Sequence, residues 1–335
     1  MPGLGIFDND KFSLQELTAA VNEAPKTPSQ LGDIGLFEEE GVPTTAVTVE
    51  RNADTLTLVP AGARGTAGDV TGGSTRSLLN FNTVHLPTTA TIKADDIQNL
   101  RAFGTASELD TVFSEVQKRL AKMKRRVDAT IEYQRMGALK GKILDADGVT
   151  VLEDLYTRFG IVQQVQVMAL GVADTDVRQK AVDAIRLMED GLGDAGYEGA
   201  VVFCGRAFFD AMTGHAKVVE AYNRWADGEF LRSDMRAGFP FAGATWVEYK
   251  GSVGGVPFVA ADEAYVVPTG VPDLFITRFA PADYEETVNT IGLPLYAKQW
   301  DPNNSGKSRV LEVQSNPMSL CTRPKAVVKL LRTAP

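Results

Sequence analysis

Cysteine is scarce in this 335-residue chain. Cys204 and Cys321 are its two cysteines, far apart and each inside an apolar stretch. That spacing argues against a disulfide framework and for reduced, buried thiols. Histidine is as rare, with His85 and His215 alone. Long hydrophobic runs are missing too: nothing approaches the roughly 18 apolar residues of a membrane helix. The opening MPGLGIFDNDKF lacks the basic region and apolar core of a secretory signal, so a cytosolic origin without membrane insertion is expected. Positive charge is in deficit, with 34 Lys and Arg against 43 Asp and Glu, a net charge of -9. That balance opposes tight, sequence-independent attachment to nucleic acid, which is largely phosphate neutralisation by Lys and Arg. Lysine is absent altogether from residues 51–92.

What is present is an ordinary globular composition, 44% hydrophobic and 23% charged, in a chain too long for one efficient core, so two lobes or a body with extensions are expected. The first forty residues read as an arm, with a short apolar-periodic piece at Phe12, Leu14, Leu17 and Val21 before Pro25 and Pro28 break it. Period-two patterning follows at Val47 and Val49, resumes at Leu56 and Leu58, and returns around Leu79, Phe81, Val84 and Leu86, which predicts one long two-stranded excursion over 51–92. Its tip holds Gly62, Gly65, Gly68, Gly72 and Gly73 and nothing apolar larger than Val70. Such a tip has no core of its own and needs a partner.

Leu109, Val112, Phe113, Val116, Leu120, Met123, Val127 and Ile131 recur at three- and four-residue steps. They predict an amphipathic helix over about 107–136, roughly 45 Å long at 1.5 Å per residue, ending before Gly137. Asp145, Ala146, Asp147 and Gly148 make a turn between two short strands. From Ile161 onward strands and helices are mixed: a strand in IVQQVQVMALGV, a helix over 174–189, a buried strand over 200–204, helices near Phe208 and over 218–225, then strands over 245–249, 256–260, 273–279 and 309–331. The fold class expected is α+β.

Several ordered motifs resemble the major capsid protein E family of tailed bacteriophages: LTAAVNEAPKTPSQLG (17–32), LFEEEGVPTTAVTVE (36–50), IQNLRAFG (97–104), ALKGKILDADG (138–148), FCGRAFFDAM (203–212) and LEVQSNPMSLCTRPKAVVKLL near the end. The resemblance implies the Hong Kong ninety-seven capsid fold. Its parts would be an N-terminal arm (1–45), an extended E-loop hairpin (46–95), a peripheral domain with a spine helix (96–160), an axial domain (161–299) and a C-terminal return to the peripheral domain (300–335). It further implies a shell of pentamers and hexamers around double-stranded DNA, bound without sequence specificity. Expected partners are a separate scaffold protein, since no long scaffolding extension precedes the arm, a portal and a possible decoration or cement protein. The founding member of the fold crosslinks neighbours through an E-loop lysine. Here Lys93 lies only at the base of the loop, so no covalent chainmail is expected. An encapsulin-like nanocompartment shell is the alternative with the same fold, and a soluble α/β enzyme is the alternative from another class.

Candidate functional residues follow from this reading. Arg64 and Arg76 carry positive charge in the excursion and, with Val70 and Phe81, are expected at subunit contacts, the arginines through salt bridges. On the helix, Lys118, Lys122 and Arg125, within the cluster that also holds Arg119, Lys124 and Arg126, form a basic face: either a solvated surface or a contact with a neighbour's acids or DNA. No catalytic residue, cofactor or metal is expected. Cys204 and His215 form no nucleophile–base pair by pattern, because Cys204 closes an apolar strand-like run. The GKS at 306–308 has Asp301 where a phosphate loop needs glycine, and is followed by strand in place of helix. The glycines of 62–73 precede no helix, and the Asp145–Asp147 pair lacks the bidentate glutamate of a calcium loop.

Overall fold

The computed structural model describes residues 7–25, 29–52, 76–93, 96, 108–225, 236, 238–303 and 307–333. They fall into two compact units, each assembled from separated stretches: 1–47, 81–135 and 276–319 in the first, 48–80, 136–275 and 320–335 in the second. Helix and sheet are mixed, as an α+β fold requires.

The first unit is organised on the helix Glu108–Lys140. The apolar stripe Val112, Val116, Leu120, Met123, Val127 and Ile131 is buried in one cluster with Phe7, Phe12, Leu17 and Val21 of the arm and with Ile92, Leu295, Ala297, Leu311 and Val313. Ser13 starts the arm helix Leu14–Glu23 by accepting a hydrogen bond from the Glu16 amide at 3.3 Å, satisfying an otherwise orphaned donor. The strap beyond it contains one further helical turn, Gln30–Asp33, and the strand Glu38–Gly41, which runs parallel to Phe275–Phe279. A second sheet joins Leu86–Lys93 to Ser308–Ser315 and Ser308–Ser315 to Tyr296–Trp300, both antiparallel.

The second unit holds a six-stranded sheet in the order Gln164–Val167, Val328–Leu331, Glu263–Thr269, Gly199–Cys204, Ala244–Glu248, Phe239–Phe241. Three of its pairings are antiparallel and two parallel. The helices Val177–Leu192 and Arg206–Thr213 bury Val177, Ala181, Ala184, Met188, Phe208 and Met212 in the same cluster as Val202, Trp246 and Val266. Trp246 is stacked on Phe208 with ring centroids 6.3 Å apart, and its indole N–H donates to the Phe241 carbonyl at 3.0 Å.

Two expectations need correction. The long helix does not stop before Gly137 but runs on to Lys140. A Cβ at Gly137 would lie 2.8 Å from the Lys142 carbonyl oxygen, so this glycine permits the close return of the chain. The helix ends at Gly141, whose φ of +85° only glycine adopts without strain. The returning half of the excursion is also not one strand. Arg76–Asn82 pairs with Ala46–Asn52, whereas Leu86–Lys93 leaves that pair and joins Ser308–Ser315. The reason is burial: Ile92, 1% exposed, belongs to the cluster under the long helix.

Candidate assembly surfaces

Of the residues expected at subunit contacts, Arg64 and Val70 lie outside the described residues. The backbone of Arg76 opens the strand Arg76–Asn82. Phe81, expected to face a neighbour, is instead fully buried within its own chain. The two-residue alternation of a strand explains this: Leu79 and Phe81 turn inward while Leu78, Asn80 and Asn82 turn outward. Leu78, 67% exposed, is therefore the large apolar side chain that this strand offers to solvent. The signal for it was its position one residue out of phase with Leu79 and Phe81.

The basic cluster of the long helix divides three ways. Lys118, Lys122 and Arg125 are exposed, with Arg126 beside them. Lys118 reaches Glu115 at 3.7 Å. Lys122 and Arg125 make no ion pair among the described residues. Arg119 is tied down, to Asp96 at 3.0 Å, to Glu115 at 3.5 Å and to the Thr91 carbonyl. The Lys93 amide and the Arg119 guanidinium, both bonded to Asp96, hold its carboxyl below the usual range. Lys124 turns the other way and is only 4% exposed. A 100° step per residue separates these fates, which a run of basic letters conceals.

Beneath the long helix a cavity of about 830 Å³ lies wholly within the first unit, between the arm helix, the long helix and the segment 286–296. Leu14, Ile131, Phe279 and Leu295 supply apolar wall; Lys124, Glu132 and Arg135 supply buried charge. Arg135 is well satisfied: its Nη2 donates to Glu39 Oε1 at 2.7 Å, its Nε donates to Thr277 Oγ1 at 3.1 Å, and its guanidinium lies over the Phe37 ring at 5.5 Å. Glu132 Oε1 accepts from the Leu31 amide at 2.9 Å. These bonds fasten the strap to the unit.

No chemistry-bearing constellation gathers elsewhere among the described residues. Cys204 is buried, its thiol donates to the Val202 carbonyl at 3.6 Å, and burial pushes its pKa well up, which makes it a poor nucleophile. Burial pushes Cys321 up to about 12. His215 is bonded to the Val172 carbonyl at 3.0 Å and accepts from the Lys217 amide at 3.3 Å, so it does not orient Cys204. His85 faces Asn316 Oδ1 at 2.7 Å. Ser308 opens a strand, not a helix. Asp147 spends its oxygens on Val149 and Thr150. No described group of three or more His, Cys, Asp or Glu could hold a metal, and no described helix is long and apolar enough to cross a membrane.

Comparison with known proteins supplies what this geometry leaves open. A family model described as phage major capsid protein E matches residues 13–331. The major capsid protein of Pseudomonas phage KPP10 is 29% identical over 344 residues, covering 96% of this chain and 97% of that protein. The major capsid protein of Salmonella phage Felix O1 is 26% identical over 359 residues, covering 96% of each. Among solved structures, a putative capsid protein of an E. coli CFT073 prophage superposes with a TM-score of 0.56 at 12% identity, covering 96% of this chain and 99% of that one. The capsid of cyanophage P-SCSP1u gives 0.54 at 12% identity, covering 93% and 90%. At such identities the structures establish a shared fold, the Hong Kong ninety-seven-like capsid fold.

Proposed function

The chain belongs to the phage major capsid protein E family and forms the shell of a virion, and we propose that it closes that shell by noncovalent contacts of the excursion 46–95. Capsid proteins of this kind assemble into multimeric shells. The curated relatives are phage capsid proteins, so an encapsulin-like compartment is not favoured. The observation that carries the noncovalent reading is the absence of lysine from 51–92, together with the outward Leu78 at the base of the excursion. An excursion whose stretch 51–92 carries apolar and arginine side chains but no lysine can clasp a neighbour by packing and salt bridges, with Arg64 and Arg76 among its cations.

In this reading the arm is 1–45, the spine-helix domain 96–160, the axial domain 161–299 and the C-terminal return 300–335. Pentamers and hexamers close around a scaffold, with a portal and a decoration protein as further partners, and no residue performs catalysis. Lys118, Lys122 and Arg125 meet a neighbour's acids or the enclosed double-stranded DNA, which is held without sequence specificity. The test is electron microscopy of the chain expressed with its scaffold, followed by denaturing electrophoresis of the particles. Closed shells that dissolve into single 36.1 kDa chains are expected. A ladder of crosslinked species would overturn the noncovalent clasp, and small soluble oligomers in place of shells would overturn the assembly scheme.

A further inference from the structure

The long helix carries three cations that its own chain does not answer. Lys122, Arg125 and Arg126 are exposed and make no ion pair among the described residues. The two arginines stand three and four positions beyond Lys122, where like charges on one helix face repel. Lys118, one turn earlier, is partly answered by Glu115 at 3.7 Å. The same unit carries the opposite pattern on the strand Glu38–Gly41, which lies at the edge of its three-stranded sheet. Strand alternation sends Glu39 to Arg135 of the long helix and sends Glu38 and Glu40 to the other face. There the two carboxylates share one guanidinium, that of Arg278, at 3.6 and 3.3 Å, and their side chains remain 55% and 62% exposed. Neither makes another ion pair or hydrogen bond among the described residues. Two carboxylates on one guanidinium leave negative charge in excess at the strand, as the unpaired cations leave positive charge in excess at the helix.

We propose that Glu38 and Glu40 of one copy dock on Lys122, Arg125 and Arg126 of a second copy. The proposal rests on the shell-building reading and names the partner of the basic face. The two repeats match: carboxylates two residues apart on a strand are spaced by roughly 6.6 Å, and cations four residues apart on a helix by about 6 Å. Within one chain the two patches do not meet, because the Glu39–Arg135 pair holds the strand with Glu38 and Glu40 turned from their own long helix. A phosphate backbone suits the helix face less well, since Glu115 lies beside Lys118 and Arg119 and the chain's net charge of -9 opposes it. Giving one patch and receiving the other, each copy contacts the next head to tail, the relation by which rings close.

The test is charge reversal with rescue, read as the yield of shells in electron micrographs of the chain expressed with its scaffold. Glu38→Lys with Glu40→Lys, and separately Lys122→Glu with Arg125→Glu and Arg126→Glu, are each expected to cut the yield at least roughly tenfold, since each sets like charges against one another. A chain carrying all five reversals remakes every contact with its signs exchanged and is expected to recover most of the parental yield. A combined variant no better than the worse of the two overturns the pairing. Full yield from the basic reversal with only its DNA content reduced assigns the helix face to DNA and overturns it too, as does a loss of yield traced to failed scaffold binding. Because a cation placed beside Arg278 can loosen the strand, Glu38→Gln is measured in parallel; it leaves Arg278 its closer partner, Glu40. Its unfolding midpoint in urea is expected to match the parent's, while its shells release subunits several-fold faster at low salt and with a weaker salt dependence. Unchanged release, or a midpoint lowered to match the faster release, makes Glu38 a support of its own strand and overturns the docking. Parent shells that form while the rescue fails sink the docking alone; a parent chain that forms no shells overturns the shell-building reading and the docking together.

Discussion

The two compact units anchor their paired charges on different kinds of element. In the second, Lys329 is paired to Glu263 at 2.6 Å, and the Tyr265 hydroxyl donates to the same carboxylate at 2.8 Å. In the first, Arg135 of the long helix is paired to Glu39 at 2.7 Å, while Lys122 and Arg125 of the same helix are exposed and make no ion pair among the described residues. In the second unit the pair spans two adjacent strands of one sheet; in the first it ties the long helix to the strap.

This contrast can be broken at graded cost. The largest effect is expected from Trp246→Ala in the second unit, which empties a core position that is 1% exposed. About 3–5 kcal/mol should be lost from the unfolding free energy of the unassembled chain in a urea titration. A loss near zero would show that this core is not self-sufficient. Next is Glu39→Ala in the first unit, which strands Arg135. Allowing for the partial exposure of Glu39, about 2 kcal/mol should be lost by the same measurement, and Arg135→Met should recover part of it in the double variant. Gly137→Ala should cost about 1 kcal/mol net. The gain in helix propensity of roughly 1 kcal/mol is outweighed by the contact with the Lys142 carbonyl, and a stabilised variant would refute the close-packing account.

Smaller still is Glu312→Gln. Burial, with Asp283 nearby, raises the Glu312 pKa above its usual value. The folded state therefore holds this proton more tightly than the unfolded chain, and stability from this group declines as pH rises above the usual glutamate range. The glutamine variant should melt higher than the parent at neutral pH and show a flatter dependence through the acidic range. Equal slopes for both proteins would count against the assignment. Finally, Lys118→Glu, Lys122→Glu and Arg125→Glu combined should leave the unassembled chain within about 0.5 kcal/mol per site, while assembly or DNA packaging falls. Packaging at the parental level would make this face a solvated surface and nothing more.

Much of the architecture was legible before the structure. The long helix, the period-two strands at Val47 and Val49, the buried strand ending at Cys204 and the turn at Asp145 all follow from local patterns, because a 3.6- or 2-residue repeat is set by neighbours in sequence. The boundary at Gly137 misled, since glycine both ends helices and admits close backbone approach, and only the position of Lys142 distinguishes the two. Phe81 misled for a similar reason: its apolar character was evident, but whether it faced inward or outward depended on strand phase.

By itself, then, the sequence determined composition-level facts that no packing can alter: two distant cysteines, a net negative charge, an excursion without lysine, and motifs that place the chain in its family. Tertiary structure alone decided which of six basic residues in one helical run is solvated, which is tied to Asp96 and which is buried over a cavity. Burial and pairing are relations between segments remote in the chain, such as 14–33, 124–135 and 286–296, and those distances come into being only when the chain has folded.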